Sequence, residues 1–211
     1  MSRSFKVTRN YYNTGEKIFS KGIITIEPGV TILVGCNGSG KSTLISHIRR
    51  KLEMDRIPYI HFNNLTDGGH TAMDAAAFMG NMNFVLDCAF KSEGEVIHIN
   101  ISRIAGKCGN LMSYAITKGY KEVWLLVDAL DSGFSIDNII DVKDNLFNIM
   151  IEDGKSKGID VYIVAAANSY EMVKDQNCYD VYRCKYVSFK TYNSYRKFIL
   201  KSREIKDKRY K

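Results

Sequence analysis

At 211 residues, with 45% hydrophobic and 25% charged residues and only 2 prolines, the chain has the composition of one folded domain, which excludes a disordered or fibrous protein. Its 5 cysteines, Cys36, Cys88, Cys108, Cys178 and Cys184, form no CxxC pair and no Cys/His set with zinc spacing, so a reducing, cytoplasmic setting is expected. No apolar run approaches the ~18 residues of a membrane span or forms a signal-peptide core, and the net charge of +7 is concentrated in residues 196–211, where eight Lys and Arg stand against Glu204 and Asp207.

In chain order, residues 5–12 and 18–27 alternate and are rich in Ile, Phe, Val, Thr and Tyr, and Asn13-Thr14-Gly15 between them is a turn signal, so a hairpin is predicted first. Pro28-Gly29 turns into the almost wholly apolar residues 30–34, the pattern of a central strand covered on both faces. That strand runs into Gly35-Cys36-Asn37-Gly38-Ser39-Gly40-Lys41-Ser42, and a helix is predicted from Lys41 to about Asp55, with Leu44, Ile45, Ile48 and Leu52 on one face.

A strand over 57–62, a polar loop over 63–69 and a helical stretch over 71–90 follow. A second helical stretch begins at Ser92-Glu93-Gly94-Glu95 and is predicted to break near Gly106 to Gly109. Then come a buried strand over 123–128, a helix over 135–155, a strand over 161–166, a short helix from Tyr170, a hairpin around 181–189, and a helix from Tyr192 on which Tyr192, Tyr195, Phe198 and Ile199 share a face. Strands alternating with helices imply an α/β fold with a mostly parallel sheet wrapped by helices. Residues 1–190 read as a single domain and 191–211 as a basic C-terminal helix or tail, packed on it or extending from it.

The glycine loop carries the strongest chemistry. Glycines at Gly35, Gly38 and Gly40 let the backbone curl so that the N–H groups around Asn37, Ser39 and Thr43 point at phosphate oxygens, and the following helix adds its positive end. In such a P-loop Lys41 reaches the β- and γ-phosphates and the Ser42 hydroxyl ligates Mg²⁺. Asp128, at the end of an apolar strand, places a carboxylate at the sheet edge, suited to holding Mg²⁺ through water.

Two further segments stand in a known order around that aspartate. Leu130-Asp131-Ser132-Gly133-Phe134-Ser135 resembles the D-loop of ATP-binding cassettes, and Lys91-Ser92-Glu93-Gly94-Glu95 resembles their signature motif. Together with the P-loop, they make residues 24–170 resemble the SMC- and RecF-type branch of the cassette ATPases, and more closely small cassette proteins of bacteriophages in the AAA group. The resemblance implies ATP and Mg²⁺ as ligands and a symmetric homodimer, with Ser92 and Gly94 of one copy completing the phosphate site of the other. Ser92-Glu93-Gly94-Glu95 also reads as a helix cap with early acids. The 49 residues between Ser42 and Ser92 leave no room for a coiled-coil arm.

Other positions stay open between roles. Asn63 stands near the place where the family keeps a Mg²⁺-facing glutamine, yet Asn-Asn in a loop is also plain turn chemistry. Tyr11 or Tyr12 stands where the family keeps an adenine-stacking aromatic, though strand aromatics also serve packing. The basic tail is either solvated charge or a nucleic-acid footprint.

The departures from the family pattern concern catalysis. Ala129 occupies the position of the glutamate that polarises water, and Asn168 aligns with the switch histidine. Asn168 can hydrogen-bond a phosphate but cannot shuttle a proton, and Asp131 remains a candidate for positioning water. The expectation is ATP binding with slow or absent hydrolysis, in a DNA transaction; the alternatives are a non-enzymatic nucleotide sensor and a small-molecule kinase.

Overall fold

The computed structural model describes residues 1–7, 17–63, 93–129, 131 and 134–208. The turn signal at 13–15, Tyr11, Tyr12, the stretch 71–90, Ser92, and Leu130, Ser132 and Gly133 lie outside these residues. The described strands are β1 (Arg3–Lys6), β2 (Ile23–Ile26), β3 (Gly29–Val34), β4 (Tyr59–Asn63), β5 (Glu122–Asp128), β6 (Asp160–Ala166), β7 (Asn177–Asp180) and β8 (Lys185–Val187). The helices are α1 (Lys41–Met54), α2 (Glu93–Lys118), α3 (Ile136–Asp141), which passes through a π-helical turn at Val142–Asn148 into α4 (Ile149–Ser156), the short α5 (Tyr170–Val173), and α6 (Tyr192–Asp207).

Six strands form one sheet in the order β4-β5-β6-β3-β7-β8, parallel throughout except for the antiparallel β7–β8 edge. The expected mostly parallel sheet flanked by helices is thus present, and β1 pairs with β2 antiparallel, Arg3 opposite Ile26, as the N-terminal hairpin. The C-terminal hairpin is also present, but its strands flank residues 181–184 rather than beginning there.

Strand alternation divides the core into two layers. Ile32, Val34, Leu125, Val127, Ile163 and Ala165 point to one face, where α2, the α3–α4 helix, α5 and Tyr195 of α6 cover them. Leu33, Trp124, Leu126, Tyr162 and Val164 point to the other, beneath α1 and the β1–β2 hairpin. A side-chain period of two makes a strand covered on both faces nearly continuous in apolar residues, as β3 is apart from Thr31 and β5 is between Glu122 and Asp128. Trp124 stacks on Tyr162 at 4.1 Å between ring centroids and receives the edge of Phe5 at 5.3 Å, which fastens the hairpin to the sheet. Arg3 adds ion pairs to Glu122 and to Asp55, the latter at 2.6 Å.

The expected break near Gly106 to Gly109 is absent, because α2 runs unbroken to Lys118. Glycine in a helix costs about 1 kcal/mol against alanine, but Ile104, Cys108, Met112 and Ala115 recur on one stripe and are all buried against the sheet. Burial of about 2 kcal/mol per large apolar side chain outweighs two such penalties. A helix whose packed face is continuous does not stop at a glycine.

Glycine substitutions separate the two situations. At Gly106 and Gly109 an added Cβ meets nothing within 4 Å among the described residues, whereas at Gly154 it would stand 2.3 Å from Val161 Cγ2 and 2.9 Å from the Ile159 carbonyl oxygen. Gly106→Ala and Gly109→Ala are each expected to raise stability by up to about 1 kcal/mol, and Gly154→Ala to lower it by about 1–3 kcal/mol. Urea unfolding of the three variants checks both signs.

Candidate functional site

The parallel strands bring their carboxyl ends to one edge, and ligands of open α/β sheets sit in the crevice there. β6 lies between β5 and β3, so Asp128 and the glycine loop face each other across the end of β6. That end is Ala165-Ala166-Ala167, all buried, and the small side chain of Ala166 lines a cavity of about 480 Å³. Its walls are Asn37, Gly38, Ser39, Gly40, Lys41, Ser42 and Thr43 from the loop and α1, with Asp128, Ala129, Ala166 and Asn168 opposite.

Left-handed glycines shape the loop. Gly38 and Gly40 have φ of 76° and 107°, and a Cβ on Gly40 would press to 2.5 Å from Ile18 Cγ2, so the hairpin side packs directly against the loop. A Cβ on Gly35 would meet the Ser39 hydroxyl at 2.4 Å. α1 starts with no side-chain cap at Gly40 and no acid in its first turn, leaving its opening N–H groups and positive end directed at the cavity. Ser39 Oγ is buried without a hydrogen-bond partner among the described residues. Uncapped donors, an orphaned hydroxyl and a neighbouring cation are what an anion with several oxygens would satisfy.

Lys41 is 9% exposed, and its ammonium donates to the carbonyl oxygens of Gly35 at 2.7 Å and Cys36 at 3.4 Å. Burial lowers its pKa, opposed by the charges of Cys36, Asp131 and Asp128. Among the described residues the ammonium therefore rests on neutral backbone acceptors with no carboxylate in hydrogen-bond contact, a poor substitute for an anion.

Asp128 ends β5, buried to 9% exposure, with its carboxylate accepting from the Ala129 N–H at 3.0 Å. Ala129 has φ of 52°, a left-handed conformation costly for a residue with a Cβ, and its methyl lines the cavity. The backbone strain at this position was not legible from an alanine. Asn63 lies opposite Asp128 in the β4–β5 register but does not line the cavity. Ser42 and Asp128 are thus the two candidate metal-facing residues brought to the cavity. No cluster of three His, Cys, Asp or Glu exists among the described residues, so a divalent ion here would take most of its oxygens from a ligand or water, the usual habit of Mg²⁺.

Asp131 takes a structural position. Its Oδ2 accepts from the backbone N–H of Asn168 at 2.6 Å and from that of Ser169, so it clamps the turn after β6 rather than facing the cavity. Asn168 is held from the other side by the Tyr195 hydroxyl, which donates to its carbonyl oxygen at 2.7 Å. Gly94 falls in the first turn of α2; Ser92 and Tyr12 are outside the described residues. Cys108 and Cys178, pushed up to about 12 by burial, are thiols rather than nucleophiles at neutral pH.

The contribution of α6 was missed. Ser202 Oγ accepts from the Cys36 N–H at 3.1 Å, so the C-terminal helix is pinned to the outside of the loop. Tyr195, Ile199, Ser202 and Lys206 are spaced four, three and four residues apart on one stripe. The apolar part of that stripe is visible in the sequence; its polar continuation onto the loop is the signal that could have found the contact.

Below its lowered pKa Lys41 is charged, and the folded state carries the full cost of burying it; that cost fades as pH rises through the lowered pKa. Lys41→Met should therefore leave the melting temperature of the ligand-free protein unchanged or raise it by up to about 4 °C at neutral pH, while removing stabilisation by phosphate ligands. A melting series with and without tripolyphosphate tests this, and a fall in the ligand-free melting temperature would contradict it. No family model and no curated protein matches the chain, so a functional reading rests on the loop, its lysine and Asp128.

Proposed function

We propose that this chain binds ATP with Mg²⁺ at the glycine loop, as a cassette-type P-loop protein of the SMC- and RecF-like branch, with slow or absent hydrolysis. The observation that carries the reading is the convergence of uncapped α1, the left-handed glycines, Lys41 and Asp128 on one cavity at the carboxyl edge of a parallel sheet. Lys41 would exchange two carbonyl oxygens for phosphate oxygens, and Ser42 and Asp128 would hold Mg²⁺, which when bound offsets phosphate charge.

Among the described residues, Asp128 is the one carboxylate that lines this cavity, and it is assigned here to Mg²⁺. Ala129 offers a methyl group and Asn168 an amide, and Asp131, whose Oδ2 is engaged by two backbone N–H groups and whose Oδ1 has no hydrogen-bond partner among the described residues, does not line the cavity. Binding is thereby supported more strongly than turnover, since a positioned base contributes about 10²–10⁴-fold in rate. The resemblance further implies an ATP-dependent homodimer through Ser92 and Gly94. A nucleotide sensor that signals to another protein is the second reading, favoured by the packing of α6 on the loop.

Titration calorimetry is expected to show MgATP binding by the wild type that is lost in Lys41→Ala, and wild type that binds no nucleotide would sink the proposal. Phosphate release from Ala129→Glu should exceed wild type by roughly 10²–10⁴-fold if only the base is missing; an unchanged rate would favour the sensor. Light scattering should show dimers with MgATP and monomers without it.

A further inference from the structure

α6 does more than brace the loop. Beside the main cavity lies a second one of about 330 Å³, lined by Gly35, Cys36, Asn37 and Asn168 on the sheet side and by Tyr195, Ile199, Arg203 and Lys206 on α6. Asn37 and Asn168 line both cavities, so the two are contiguous. No carboxylate among the described residues lines the second cavity. Its two cations share one acid, Asp207, 3.7 Å from Arg203 Nε and 3.5 Å from Lys206 Nζ, and that carboxylate is half exposed. Long, solvated pairs of this kind are weak and exchange readily for a better anion.

The placement of both cations is tied to the loop. Ser202 anchors α6 through the Cys36 N–H, and Tyr195 anchors it through the Asn168 carbonyl oxygen. Lys206 reaches close enough that a Cβ on Gly38 would touch its Cδ at 3.4 Å. Arg203 and Lys206 thus arrive at the outer end of the loop, beyond Asn37, while Lys41 lies inside it. A guanidinium and an ammonium converging with an amide suit a phosphate group.

We propose that Arg203, Lys206, Asn37 and Asn168 form a second anion subsite that takes a phosphate beyond the diphosphate held by the loop, so that the C-terminal helix reports which nucleotide is bound. This inference rests on the nucleotide reading. The phosphate is either the outermost group of a triphosphate or a free inorganic phosphate beside a diphosphate. In both cases α6 is drawn onto the loop by the extra charge and held less firmly without it.

The test is calorimetric titration of the full chain with MgATP, with MgADP, and with inorganic phosphate in the presence of saturating MgADP. Arg203→Gln/Lys206→Gln should weaken MgATP binding about tenfold or more while changing MgADP binding less than about twofold. The swap Arg203→Lys/Lys206→Arg should restore most of the loss, and unchanged melting temperatures exclude a folding defect, since neither side chain is in the core. Loss of the preference for ATP over ADP identifies the attached phosphate; loss of phosphate binding on top of ADP identifies the free one, and either supports the subsite. A double variant that keeps the wild-type preference and binds added phosphate as wild type does overturns this inference alone. Wild type that binds neither nucleotide overturns the nucleotide reading with it.

Discussion

An ammonium buried beside a loop of backbone N–H groups, received among the described residues by two carbonyl oxygens, sets the requirements that the surrounding structure meets. Such a group is costly unless an anion joins it. The loop holds that cost in place because Gly38 and Gly40 adopt left-handed backbone and Gly40 is packed too closely against Ile18 to accept a side chain. The apolar strand β3 delivers the loop to the sheet edge, and α1, anchored by Leu44, Ile45, Ile48 and Leu52, aims its uncapped end at the same place. Stability is given up at this point, as it commonly is where a structure preorganises a binding site.

The remainder of the site follows from sheet order. Because β6 separates β5 from β3, the cavity needs a small residue at the end of β6, and Ala166 supplies it. The turn after β6 is then fixed from two directions, by the Asp131 carboxylate on its N–H groups and by the Tyr195 hydroxyl on its carbonyl oxygen. Asn168 is held between the loop, the strand ends and α6. A change at any one of these is felt by the others, since polar groups that share a clamp are not independent.

Strain and substitution are concentrated at one residue of this arrangement. Ala129 sits left-handed, its N–H directed at the Asp128 carboxylate and its methyl in the cavity. Strained backbone persists where its surroundings over-determine it. Here the hydrogen bond to Asp128 contributes to that, and the residue fixes the Asp128 carboxylate while carrying no titratable group of its own.

The sequence by itself determined the elements whose signal is local. The apolar runs of β3 and β5, the 3.6-residue stripe of α1 and the glycine spacing of the loop each predict their own structure, and Lys41, Ser42 and Asp128 follow from them. Two kinds of feature were decided only by tertiary structure. The continuity of α2 through Gly106 and Gly109 depends on a packed face that outweighs local propensity, and the roles of Asp131, Tyr195, Ser202, Arg203 and Lys206 depend on contacts between segments tens to more than a hundred residues apart. Local backbone preferences are written residue by residue, whereas which surface a helix such as α6 covers is set by the shape and charge of what lies opposite.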